Sequence, residues 1–507
     1  MLLGVRKASS VSARYPLAGW LASALLLGAA SPAIARPWIE PGDMRARHSL
    51  QWLVDQGCLQ APMSTWPVMW ADISPGLDND DAPALCRDSL AWRYLRFERD
   101  YHAGERLQMG LSAGGAGQEV LFRDFAGGPR EKGEVNARLE WMSGGLAIGL
   151  SGTYVHNPRD GDEARYDGSY LAGTLGNWVL GAGAIERWWG PGWHSSTILS
   201  SNARPVPGVW INRKQSTPFS WRPARWLGPW HAVAFVGQLE DERAVPNARM
   251  LGARVTFRPW RYLEVGLSRT AQWGGDGRPE SWSSFWDAVT GRDNGQQGPG
   301  NDPSNQLGGA DLRLGFPIGS AALGIYAQAT GEDEAGGLPS KFMNQAGVDL
   351  ATGWAGAEQR FYLEYTDTTA GSWSSELRPN VAYEHSTYQS GYRFNGRNIA
   401  STWEGDSRVL TLGATHFFRR GSDVSVTLSR AELNRDGTLR SRPASAGTPV
   451  LEAVDAQDVA ILAASYRLPV LGGRVTLSGY YTDKEIETVA RQWSRTTVMA
   501  AWEYRFD

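Results

Sequence analysis

The chain has only two cysteines, Cys58 and Cys86, among its 507 residues. Two thiolates cannot build a tetrahedral cage, and the seven histidines show no i, i+4 spacing, so no metal site is expected. Charge of one sign is also missing: 50 Lys+Arg against 53 Asp+Glu leave a formal net charge of −3. Nucleic-acid binders normally carry a basic domain or patch, so that class of partner is set aside. Beyond the first 35 residues no run of 18 apolar side chains occurs, which excludes a transmembrane helix there. No cofactor is expected. In excess are 60 Gly, 24 Trp and 17 Tyr, where an average composition would give about 35 Gly.

Residues 1–35 have the layout of an export signal. Arg6, Lys7 and Arg14 form a positive start, WLASALLLGAA a short apolar core, and Ala33-Ile34-Ala35 a small-residue cleavage site. In an oxidising compartment Cys58 and Cys86 read as a disulfide, worth about 3–4 kcal/mol by loop closure; the alternative is two buried thiols. Residues 36–103 carry a helical pattern and read as a periplasmic helical module. Asp43 is placed as an N-cap, Leu50, Leu53 and Val54 share a face, and Gly57 stops the turn. Asp80-Asp81-Ala82-Pro83 announces a second helix carrying Leu85, Ser89, Trp92, Leu95 and Arg96.

From residue 104 to 507 the period is two. Leu146, Ile148, Leu150 and Tyr154 alternate with Gly and Ser, as do Phe361, Leu363 and Tyr365, then Val424, Val426 and Leu428, then Val475, Leu477 and Tyr481. A soluble sandwich or propeller and a membrane barrel both fit such alternation. The last strand separates them: Val498, Ala500, Trp502, Tyr504 and Phe506 form one apolar face ending in aromatics, with Glu503 and Arg505 on the other. A lipid-facing wall with an aromatic girdle has that pattern, and it is similar to the terminal strand recognised by barrel-insertion machinery, although Asp507 follows the last ring. Long polar segments such as 274–306 alternate with short connections such as LPVLGG. The expected fold is mainly β, a large antiparallel transmembrane barrel in an outer membrane. At roughly 22 residues per strand and connection it holds about 18 strands, with 16 also compatible.

Motifs for catalysis are weak. Gly110-Leu111-Ser112-Ala113-Gly114 matches a nucleophile elbow, but it lies in an alternating strand with no helix after it. Asp160-Gly161-Asp162-Glu163 and Asp78-Asn79-Asp80-Asp81 lack the distant Glu of a calcium loop and read as solvated turns. Aromatic clusters are stronger. Trp282, Phe285 and Trp286 stand beside Asp287, Arg292, Asp293 and Asn294, which suits a sugar platform or, equally, rings that pack a loop onto the barrel mouth. In ERWWGPGWHSSTILSSNARP, Trp188, Trp189, Gly190, Pro191, Gly192 and Trp193 precede Asn202 and Arg204. Buried indoles need partners, and this segment reads as a structural turn that ends one barrel strand and begins the next, with some rings at the wall and others packing a folded-in loop; direct sugar contact is the alternative.

Longer segments carry a family resemblance: EPGDMRARHSLQWLVDQGCL, STWPVMWADI, the ERWWGPGW segment, WLGPWHAVAFVGQLEDER, SSFWDAVTGRDN, NQLGGADLRL, YEHSTYQSGYRFNGRNIAST and WEGDSRVLTLG, in this order. They span nearly the whole chain after the signal, which resembles the Wzi capsule-assembly family. The resemblance implies an 18-stranded barrel with a periplasmic helical bundle. It also implies a non-enzymatic, lectin-like role holding capsular or related exopolysaccharide at the cell surface. A monomer in contact with outer-membrane lipid is expected. The alternative is a porin-like channel for oligosaccharide or small solutes.

Overall fold

The computed structural model describes residues 36–102, 107–290, 304–335, 338–371, 377–439, 449–470 and 472–506. The export signal therefore lies outside the described residues. Alternation builds a closed antiparallel barrel of 18 strands, each of six or more residues. In chain order these are β1 (Gln108–Ala116), β2 (Gly133–Ser143), β3 (Leu146–His156), β4 (Tyr170–Leu175), β5 (Trp178–Gly183), β6 (Gly208–Arg213), β7 (Trp230–Gln238), β8 (Arg249–Trp260) and β9 (Leu263–Trp273). They continue as β10 (Ser304–Ile318), β11 (Ala321–Ala335), β12 (Leu338–Trp354), β13 (Ala357–Asp367), β14 (Arg408–Phe417), β15 (Asp423–Leu433), β16 (Gln457–Val470), β17 (Gly473–Thr482) and β18 (Thr496–Phe506). The seam closes where β18 pairs with β1, Phe506 opposite Met109 and Tyr504 opposite Leu111. A two-residue strand, Ala164–Arg165, adds to β3.

The expected faces are seen on the wall. Leu150, Tyr154, Leu363, Val426, Leu428, Leu477 and Val498 are exposed on the outside, as a bilayer-facing belt requires. Trp260 and Trp354 end strands at the short-turn rim and are exposed there. The turns between β2 and β3 or β10 and β11 are two residues long, whereas 184–207 and 368–407 connect strands at the opposite rim. Long loops on one rim and short turns on the other are the asymmetry of outer-membrane barrels.

Part of the glycine excess has a direct spatial cause. Gly149, Gly181, Gly252, Gly347 and Gly413 sit opposite Tyr170, Trp210, Phe235, Tyr326 and Tyr362 in the cross-strand register. In each pair the ring reaches over the glycine, so that a Cβ there would overlap it. Large lumen-facing rings are thus accommodated by missing side chains on the neighbouring strand.

Helices α1 (Met44–Asp55), α2 (Trp70–Leu77), α3 (Ala84–Arg87) and α4 (Leu90–His102) precede the barrel. Asp43 caps α1, accepting from the backbone N–H of Arg45 and Ala46, both at 3.0 Å. The single second helix expected after Pro83 is instead two. Ser89 breaks it, its Oγ donating to the Cys86 carbonyl at 2.6 Å while accepting from the Trp92 N–H at 3.0 Å. The α2 helix, with Pro75 inside it, was not expected. Cys58 and Cys86 form the disulfide, with Cα atoms 6.0 Å apart.

All twelve residues of α1 are buried, because the helix enters the barrel from the short-turn rim. Trp52 Nε1 donates to the Ser320 carbonyl at 3.1 Å. Arg313 of β10 grips Asp55 through two hydrogen bonds of 2.6 and 2.8 Å. The cross-strand stacking predicts that Gly413→Val lowers stability by about 1–3 kcal/mol through overpacking. Heat-modifiable gel mobility would measure this, and Tyr362→Ala in the same chain should recover part of the loss.

Candidate functional site

The tryptophan-rich segment forms the centre of the lumen. Trp188 and Trp189 pair as a short ribbon with Trp66 and Thr65, and Trp188, Trp189 and Trp193 are essentially inaccessible. The backbone around Trp193 would be costly to bury unpaired. Glu364 of β13 meets that need, accepting from the N–H of Trp193 at 2.6 Å, of His194 at 3.2 Å and of Ser195 at 2.9 Å. Gln328 accepts from the Thr197 N–H at 3.0 Å and donates to the Trp189 carbonyl at 3.1 Å. From below, Arg47 of α1 donates to the carbonyls of Pro191 and Gly192 at 3.1 and 2.6 Å, with its guanidinium 4.4 Å from the Trp193 ring centre. The loop lowered from the long-loop rim and the helices raised from the other rim meet inside the barrel.

Above this level lies the second inserted loop, 368–407. Tyr383 and Tyr392 donate to the Thr197 and Ile198 carbonyls at 2.9 and 3.1 Å, and Asn202 donates to the Asn398 carbonyl at 3.0 Å. Arg204 sits at the rim with Asp160 at 2.8 Å, Asp162 at 3.0 Å and Asp167 at 2.9 Å. Arg165 adds a 2.7 Å contact to Asp160. The Asp160–Asp162 turn is therefore an arginine-bound cluster. Arg393 is surrounded by Glu384 at 2.7 Å, Glu404 at 3.0 Å and Glu452 at 3.4 Å. One guanidinium cannot neutralise three buried carboxylates. Burial pushes Glu384 up to about 7 despite Arg393, with Glu452 adding to the rise. Burial, with Asp436 and Glu452 nearby, likewise lifts Asp406 to about 7.

The other expected cluster is placed differently. Residues 282–290 form a helix, α5 (Trp282–Thr290), which the sequence reading treated as plain loop. Ser281 Oγ caps it through the Ser284 N–H at 3.1 Å. Phe285 packs edge-on against Trp273 of β9, with ring centres 5.6 Å apart, and Phe285 and Trp286 turn towards the outer wall. Trp282 is 78% exposed, and Asp287 is half-buried. Arg292, Asp293 and Asn294 lie outside the described residues.

These features define a class: a transmembrane β-barrel of the outer-membrane type, filled from both rims by its own chain. The sequence model described as capsule assembly protein Wzi matches residues 103–498. The chain belongs to that family. A Klebsiella pneumoniae protein described as an uncharacterized 55.8 kDa protein in the cps region is 34% identical over 336 residues. That match spans 64% of this chain and 64% of the relative's length. Among solved structures, the carbohydrate-binding barrel Wzi, involved in group 1 capsule assembly in Escherichia coli, superposes with a TM-score of 0.79 at 24% identity. It covers 92% of this chain and 99% of that one. The Pseudomonas aeruginosa protein OccK5 (OpdH) is far more distant, at 10% identity and a TM-score of 0.43 over 80% of this chain and 99% of that one.

The raised carboxyl groups give a pH dependence with a definite sign. A group that binds its proton more tightly when folded stabilises the fold below its unfolded pKa, and that contribution fades as pH rises through the folded value. Glu384 and Asp406 should therefore make the upper plug less resistant to limited proteolysis at pH 8 than at pH 5. Glu384→Gln should remove about half of the difference, Asp406 carrying the rest.

Proposed function

We propose that this barrel binds a capsular or related exopolysaccharide on its long-loop face and holds it at the cell surface, without catalysing a reaction. The observation that carries the reading is the double filling of the lumen. A barrel whose interior is occupied by α1, the 184–207 loop and the 368–407 loop offers its surface, and not a pore, as the working part. Membership of a capsule-assembly family supports the same direction, as does the fold shared with the carbohydrate-binding barrel Wzi. Trp282, with Asp287, supplies a ring and a polar group of the kind that sugar stacking needs. Phe285 and Trp286 leave that role, since they face the wall. The helical region stands on the periplasmic side, and the barrel acts as a monomer inserted by the cell's barrel-assembly machinery.

Cells lacking the protein should make normal amounts of polymer yet release it to the medium; unchanged cell-bound polymer would defeat the tether. Trp282→Ala should weaken binding of the host's purified polysaccharide about tenfold, or about 1.4 kcal/mol, in a glycan-binding assay. In planar bilayers the purified protein should pass little current, and a steady porin-sized conductance would favour the channel reading.

A further inference from the structure

The membrane-facing wall is not uniform. Strands β4, β5 and β6 are six residues long, while every other barrel strand has nine or more. A tilted strand needs roughly 9–11 residues to cross the hydrocarbon core, so the wall is too short for the bilayer along this arc. Over the same arc the outer surface carries a groove of about 1140 Å³. Its floor is made of small outward side chains, Ala182, Ala234, Ala253 and Ala271 among them, and its flanks of Leu180, Val209 and Ile211. From the long-loop side α5 forms the roof with Phe285, Trp286, Ala288 and Val289.

Among the described residues one charged side chain lines this groove, Arg269 of β9. Strand alternation turns it outward, where a guanidinium in open hydrocarbon would cost about 2–4 kcal/mol at the midplane. It is instead tucked under α5, donating to the Ala288 carbonyl at 3.4 Å and also to Gln306. The result is an apolar trough that runs from Gly145 and Leu175 near the short-turn rim up to α5, with a cation beneath its roof.

We propose that this groove is a binding site for one phosphorylated lipid of the outer leaflet. An acyl chain lies along the alanine floor, and the headgroup's anionic oxygens approach Arg269 at the edge of α5. The lipid completes the wall where β4–β6 fall short of the bilayer thickness, a mismatch that would otherwise require local thinning. The groove shares α5 with the proposed sugar platform, since Trp282 and Asp287 lie on the helix that roofs it, but the lipid assignment does not depend on that reading.

Native mass spectrometry of the full chain, purified in mild detergent and titrated with lipid A, tests the assignment. The wild-type protein should hold one lipid A per chain. Ala253→Trp and Ala182→Phe, which fill the groove from two strands without altering the lumen, should each weaken retention at least tenfold. Leu363→Trp, outside the groove, should not. Arg269→Gln should reduce lipid A binding several-fold while leaving dilauroyl phosphatidylcholine unchanged. Heat-modifiable mobility confirms that each variant is folded. Equal retention of lipid A by wild type and both groove-filling variants would overturn the proposal. So would a dimer of the chain that these variants dissolve, which would make the groove an interface between copies.

Discussion

Everything inside this barrel depends on backbone amides being satisfied by side chains of the wall. A segment pushed into a closed cylinder leaves behind the water that met its N–H and C=O groups, and an unmet group there costs about 1–3 kcal/mol. Glu364 answers three consecutive N–H groups of the upper loop. Glu264 of β9 does the same from below for the N–H groups of Met63 and Ser64, at 2.9 and 2.7 Å. These two carboxylates, spaced around the wall, determine where the inserted segments can sit. The ring-over-glycine pairs then fill the space around them.

Much of the wall was legible in the sequence, because a strand with lipid on one side and polar groups on the other writes its period directly into the residue order. The faces at Leu150, Leu363, Leu428 and Leu477 point outward as the alternation requires. Strand number was less readable, since 16 and 18 strands differ by less than the variation in loop length. The disulfide and the caps at Asp43 and Gly57 were equally plain, being local chemistry with fixed spacing.

The plug was not legible, for a physical reason. A polar lumen-facing residue has the same sequence signature whether it meets water or an inserted helix. α1 looks amphipathic, with Leu50, Leu53 and Val54 on one side, yet its polar side is buried too. Asp55 meets Arg313, and Arg360 of β13 donates to His48 Nδ1 at 3.3 Å. Only contacts between residues more than 140 positions apart reveal that the helix has no solvent face. The α5 helix was missed differently: a serine cap followed by rings at positions 282, 285 and 286 was available, but the surrounding Gly/Asn/Asp composition masked it. The same composition drew attention to its rings as a platform, whereas two of them belong to the outer wall.

The short ribbon joining Trp66 and Thr65 to Trp188 and Trp189 links a segment anchored at one rim to a loop hung from the other. Around it, Arg47 and the 368–407 loop extend the contact in both directions. A tensile force applied to the long-loop rim would pass down this internal column to the helices as well as through the wall. Such a cylinder resists being pulled open far better than a hollow one, because the loops cannot be drawn out without shearing several hydrogen bonds together.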